Sequence, residues 1–150
     1  MRLPDCWGQR PAVMGVINLT PDSFSDGGRF NRLDLALNEA SRQLLQGAHV
    51  LDLGAQSTRP GARDVGADEE IARLLPSLEN IRATHPQAIL SVDTFLAPVA
   101  RAALDAGADW INDVSGGRRD PAMLRLVADR GCPYVLMHSR GDSRSMDDCT

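Results

Sequence analysis

Val13-Met14-Gly15-Val16-Ile17-Asn18-Leu19-Thr20-Pro21-Asp22-Ser23-Phe24-Ser25-Asp26-Gly27-Gly28 opens as a short apolar run and turns abruptly to Asn, Thr, Asp, Ser and Gly. An apolar run of this length bounded by turn residues reads as a strand buried on both faces. The polar residues after it read as a long loop leaving the strand's C-terminal end. In a parallel α/β protein that end carries the chemistry, because the scaffold is rigid there while the loops vary. Functional side chains from later segments are expected at the same rim.

The rest of the chain repeats this pattern. Asn31 is placed to cap a helix with Asp34 in its first turn. Leu33, Ala36, Leu37, Ala40 and Leu44 then recur at helical spacing, and Gly47 closes the segment. Residues 49–54 form the second strand, followed by a loop over 55–67 marked by Gly and Pro. Asp68, Glu69 and Glu70 suit a helix N-terminus, with Ile71, Leu74, Leu75, Leu78 and Ile81 on one face. Pro76 is expected to kink that helix. Residues 88–93 make strand three. Phe95, Val99, Ala102, Ala103 and Ala106 make helix three, stopped at Gly107, and residues 109–113 make strand four. Asp120-Pro121 predicts an N-cap followed by Pro at the first helical position, with Leu124, Val127 and Ala128 facing inward and Gly131 at the end. Residues 133–138 form strand five. Residues 1–11 show no periodicity and read as an irregular lead-in.

Strand alternates with helix throughout, which predicts a parallel sheet with right-handed crossovers. Each strand ends in a polar residue: Asn18, Asp52, Asp93, Asn112-Asp113 and His138. On a shared rim these groups converge. Five strands do not close an eight-stranded barrel, and such barrels run to ~250 residues. The expectation is one α/β domain over residues 1–150, the first part of a larger barrel.

Composition narrows the function classes. Apolar content of 43% over 150 residues supports one sizeable core, and a net charge of −4 argues against a nucleic-acid or anionic-membrane surface. No apolar run approaches the ~20 residues of a membrane span. The three cysteines, Cys6, Cys132 and Cys149, lack CxxC spacing and suit reduced thiols in the cytoplasm.

The opening stretch resembles the first signature of the dihydropteroate synthase family. Gly54-Ala55-Gln56-Ser57-Thr58-Arg59-Pro60-Gly61-Ala62, Ser91-Val92-Asp93-Thr94 and Ile111-Asn112-Asp113-Val114-Ser115-Gly116-Gly117 resemble its second, third and fourth. The resemblance implies a (β/α)8 TIM barrel, of which this sequence holds about the first five β/α units. It also implies a transferase of folate biosynthesis. That reaction condenses 6-hydroxymethyl-7,8-dihydropterin diphosphate with p-aminobenzoate to 7,8-dihydropteroate, with Mg²⁺ as cofactor and a homodimer as the full-length form. Neither nucleic acid nor membrane is implied as a partner. The alternatives are a non-catalytic fragment or pseudoenzyme of this fold, and a pterin-binding methyltransferase module. The latter lacks the Asn-Leu-Thr-Pro-Asp-Ser-Phe-Ser-Asp loop and the Thr-Arg-Pro-Gly turn. The family's later Asp, Lys, Arg and His have no counterpart within residues 1–150, so the 150 residues alone are expected to show no detectable dihydropteroate synthesis and to aggregate or stay partly unfolded.

Residue types and resemblance meet at the candidate site. Asp93 ends an apolar strand, where a carboxylate must be paired or used, and the plain alternative is a cap on helix three. A carboxylate suits the donor edge of a pterin ring through two charge-assisted hydrogen bonds, and Asn112 offers an acceptor and a donor pair to the same ring. By resemblance, Asp93 and Asn112 bind pterin, and Asp93 and Arg59 take catalytic roles. Thr58 contacts the diphosphate, while Pro60 and Phe24 shape the p-aminobenzoate site. Asn18 is the Mg²⁺ ligand that the resemblance implies, a single carbonyl oxygen among phosphate and water oxygens. Asp52 is included with the substrate-binding groups, as a residue that orients Asp93 or Asn18. Asp22 and Asp26 read as loop residues, and His138 as a strand-end residue with a possible basic role. Gln56 stands where many family members carry Glu, and Ser139 where Met is frequent.

Overall fold

The computed structural model describes residues 2–20, 29–56 and 65–137, with the side chains of residues 29–31 left aside. Five strands, β1 (Met14–Asn18), β2 (Val50–Gly54), β3 (Ile89–Asp93), β4 (Trp110–Asp113) and β5 (Tyr134–Leu136), lie in the order β1-β2-β3-β4-β5. Every neighbouring pair is parallel. Four helices alternate with them: α1 (Arg29–Leu45), α2 (Ala67–Thr84), α3 (Ala97–Asp105) and α4 (Ala122–Arg130). Sequential strand order with helices between is the winding of a barrel wall, whereas a doubly wound sheet reverses direction partway.

Because side chains alternate along a strand, the sheet has two separate faces. Ile17, Leu51, Leu53, Leu90, Val92 and Ile111 point to the helices, where Ala36, Ala40, Leu74, Leu78, Ile81, Val99 and Met123 meet them. Side chains such as Leu90 and Ile81 are fully buried, each contributing roughly 1.5–3 kcal/mol relative to exposure. The other face carries rows fixed by the strand register. Met14, Val50 and Ile89 form the lowest row, Val16, Asp52, Ser91 and Trp110 the next, and Asn18, Gly54, Asp93 and Asn112 the row at the C-terminal rim. Its base is a small apolar cluster of Val50, Ile89 and Trp110 with Met14 and Val135.

The lead-in is part of this base. Trp7 stacks edge-on against Trp110 with ring centroids 5.7 Å apart, and the Trp110 indole N–H donates to the Arg2 carbonyl at 2.7 Å. Residues read as irregular thus close the bottom of the sheet's open face, a role no periodicity encodes.

Several expectations shift. β1 is not buried on both faces: Ile17 is 2% exposed but Val16 is 57% exposed, and among the described residues β1 has β2 as its one neighbouring strand. Asn31 is not a cap, since α1 already runs from Arg29 and has no acid in its first turn. Packing of the Ala36 and Ala40 face on the sheet outweighs a local capping preference there. α2 spans Pro76 without a break in its assigned range. Pro76 and Ala72 are both exposed, so the carbonyl deprived of a donor lies on the solvent side. Phe95 precedes α3 rather than joining it, and the Arg119 guanidinium sits over its ring at 4.4 Å. On α4 the inward residues are Met123, Leu126 and Val127, while Leu124 and Ala128 are exposed. The i, i+3, i+4 spacing is as expected, but the stripe begins one residue earlier. Gly47, Gly107 and Gly131, read as helix stops, all have positive φ.

Candidate functional site

The rim row brings Asn18, Asp93 and Asn112 together on one face, with Gly54 between Asn18 and Asp93. A side chain at position 54 would stand within 3.5 Å of Asp93 Cβ, so glycine keeps the space beside that carboxylate open. Two residues down the strand, the same periodicity places Asp52 and Ser91 beneath the row. Asp52 is 3% exposed and both its oxygens are engaged. Oδ1 accepts from Ser91 Oγ at 2.7 Å, and Oδ2 accepts from Asn112 Nδ2 at 3.2 Å.

Asp93 differs. Among the described residues no side chain or backbone donor bonds its carboxylate, and its exposure is intermediate. The capping role is filled by others. Ala97, at the start of α3, donates its N–H to Asp120 Oδ2 at 2.8 Å, and Thr94 Oγ1 accepts from Leu96 N at 3.2 Å. Asp120 also accepts from Ala122 N at 3.0 Å, so one carboxylate serves the starts of two helices. Asp93 is therefore released from structural duty.

Its electrostatics follow from this position. Burial, and then the negative charges of Asp52, Glu70 and Asp113, push the Asp93 carboxyl up to about 7. Burial also raises Asp52, while hydrogen bonds from Ser91 and Asn112 pull the other way. A carboxyl poised near neutrality with open lone pairs is suited to a ligand that presents N–H donors, which would favour its ionised form.

Asp113, expected on the same rim as Asn112, points to the opposite face because strand neighbours alternate. It is wholly buried. Oδ1 accepts from Ser115 N at 2.9 Å and Ser115 Oγ at 2.7 Å, and Oδ2 accepts from Gly117 N at 3.0 Å and the Tyr134 hydroxyl at 2.7 Å. Burial and the Asp113 charge keep the Tyr134 phenol protonated well above its usual range. Asp113 folds the loop after β4, which turns at Gly116 with φ +63; a Cβ there would meet the Met137 carbonyl oxygen at 2.7 Å.

Two contributors were not anticipated. Ser91 lies two residues before Asp93, so strand alternation alone puts both on one face. Gln56 and Glu70 are the other surprise. Gln56 Nε2 donates to Val65 O at 2.9 Å and to Glu70 Oε1 at 2.8 Å, and Gln56 Oε1 accepts from Val65 N at 3.1 Å. One primary amide therefore ties residue 56 to residue 65. Glu70 is 0% exposed, and its place four residues before Leu74 on the buried side of α2 was the available signal.

Phe24, Thr58, Arg59, Pro60 and His138 lie outside the described residues. Asn18 is exposed at the rim, and among the described residues nothing bonds its amide oxygen, a donor of the kind a single-residue Mg²⁺ ligand would supply. Among the described residues no group of three His, Cys, Asp or Glu side chains is arranged to hold a metal ion. No helix among them is long and apolar enough to cross a membrane.

Comparison with known proteins gives a consistent picture. The family model described as pterin binding enzyme matches residues 14–150. The chain is 47% identical over 144 residues to the dihydropteroate synthase of a Synechocystis strain, covering 96% of this chain and 50% of that protein. A dihydropteroate synthase from Xanthomonas albilineans, solved with 4-aminobenzoic acid, superposes with a TM-score of 0.82 at 46% identity, over 93% of this chain and 53% of the other. A structure from the same organism in complex with 7,8-dihydropteroate gives a TM-score of 0.75 at 42% identity, over 91% and 51% of the respective chains. The chain spans about half the length of the relatives it matches.

Proposed function

Since the chain belongs to the pterin-binding enzyme family, we propose that the protein it forms is a dihydropteroate synthase. It joins 6-hydroxymethyl-7,8-dihydropterin diphosphate to p-aminobenzoate, releasing diphosphate and 7,8-dihydropteroate. One observation carries the reading. The Asp93 carboxylate stands at the rim without a hydrogen-bond donor among the described residues, in register with Asn112, the pairing a pterin's donor-rich edge requires.

In this reading Asp93 accepts from the pterin 2-amino group and the adjoining ring N–H, and Asn112 faces the neighbouring ring atoms. The aromatic amine's lone pair attacks the pterin methylene carbon, the carbon–oxygen bond breaks toward diphosphate, and the amine loses a proton. Asp93, ionised by its ligand, favours the positive charge that spreads over the pterin as the bond breaks. Thr58 and Arg59 hold the departing anion, and Phe24 and Pro60 enclose p-aminobenzoate. Asn18 would hold Mg²⁺, which supplies charge neutralisation on the leaving diphosphate when bound. The enzyme works as a cytoplasmic homodimer.

The test is turnover by the longest natural polypeptide that carries this chain, given both substrates and Mg²⁺. Formation of 7,8-dihydropteroate is expected; failure to bind the pterin substrate would refute the reading. Within it, Phe24→Ala or Pro60→Ala should raise the KM for p-aminobenzoate severalfold and leave pterin affinity nearly intact. A large loss of pterin affinity in either variant would contradict their placement.

A further inference from the structure

Asp52 is too deep to touch a ligand and too well bonded to need one. It is 3% exposed, one row below the rim, and its oxygens are taken by Ser91 Oγ and Asn112 Nδ2. A carboxylate can only accept, so the amide of Asn112 must turn its NH₂ downward and present its carbonyl oxygen to the opening. Without that neighbour the two ends of the Asn112 amide are nearly equal in shape, and either could face a ligand. We propose that Asp52 is a positioning residue: it fixes the donor–acceptor polarity of Asn112 and so selects ligands that offer a donor at that point. Ser91 holds the second oxygen of Asp52 and prevents the carboxylate from rotating away. The proposal takes its ligand from the pterin reading and its geometry from the hydrogen bonds alone.

A double-variant cycle and a spectroscopic signal test it, in the longest natural polypeptide that carries this chain. The probe is 6-hydroxymethylpterin, with affinity measured by calorimetry for the parent, Asp52→Ala, Asn112→Ala and the double variant. Loss of one oriented hydrogen bond should weaken binding roughly tenfold on removing Asp52 from the parent. The same removal from the Asn112→Ala background should change nothing. An equal loss in both backgrounds would mean that Asp52 acts directly or only through the fold, and would overturn the proposal. Asp52→Asn serves as the conservative variant should Asp52→Ala fold poorly. The side-chain amide protons of Asn112, followed by NMR, give a readout independent of pterin. They should be protected from exchange in the parent and lose that protection in Asp52→Ala, which leaves no acceptor at that point; unchanged signals would overturn the proposal as well. A parent that binds no pterin would count against the functional reading, leaving the amide signals to decide the role of Asp52.

Discussion

Asp93 and Asp113 end adjacent parallel strands, yet the sheet's two faces give them opposite fates. Asp113 faces the helices, is wholly buried and accepts four hydrogen bonds. Asp93 faces the open side, is pushed up to about 7, and has no donor among the described residues. A buried carboxylate that is fully bonded belongs to the fold, because its donors hold a loop in place. One left short of partners while its capping role is filled by Asp120 belongs to a site. The difference between these two carboxylates is one of hydrogen-bond completeness, not residue type.

The largest expected effect falls on the completed side. Asp113→Ala strands buried donors on Ser115, Gly117 and Tyr134, and should lower unfolding free energy by about 3 kcal/mol, read from urea denaturation. The folded fraction should still bind pterin. A variant of full stability with no pterin binding would erase the distinction between the faces.

Asp93→Asn should do the reverse. Pterin affinity is expected to fall by on the order of 2–3 kcal/mol, as a charge-assisted bidentate contact becomes a mismatched neutral one. Stability should not fall. The folded pKa of about 7 lies above the ordinary 3.8, so between those values the folded chain holds a proton that the unfolded chain has released. The contribution of Asp93 to stability is therefore greatest in acid and is lost as pH rises toward about 7. Asn at this position should flatten that part of the stability profile. Binding has the opposite sign, because N–H donors need the ionised form: parent affinity should rise through pH 7, with proton release on binding. Calorimetry in buffers of different ionisation heat measures both; a pH-independent affinity would count against the assignment.

The smallest effect concerns the amide tie from Gln56 to Val65. Gln56→Glu loses the donor to Val65 O and sets a carboxylate against Glu70. Stability should drop by roughly 1–2 kcal/mol near neutral pH and recover in part at low pH, where a protonated pair can share a hydrogen. Equal melts at both pH values would show that the amide is not the tie.

Alternation of short apolar runs with helical stripes was enough to place the first four strands within about a residue of their observed limits, while the fifth, expected over 133–138, is observed only at Tyr134–Leu136. The rim residues Asn18, Asp93 and Asn112 were legible because a polar group ending an apolar strand has few explanations. Asp113 was misread because the sequence shows two adjacent polar residues, and only the pleat separates their directions. Gln56 and Glu70 stayed hidden for a related reason: their contact spans fourteen positions, and periodicity describes only neighbours along the chain.

The sequence by itself determined the order of elements, the parallel class and the polar rim, since backbone period and turn chemistry are local properties. The tertiary structure alone decided which face each carboxylate meets, and that the lead-in closes the base through Trp7 and Trp110. It also decided which acids are satisfied. Burial and hydrogen-bond completeness are set by groups far apart in the chain, and they exist only once the register is formed.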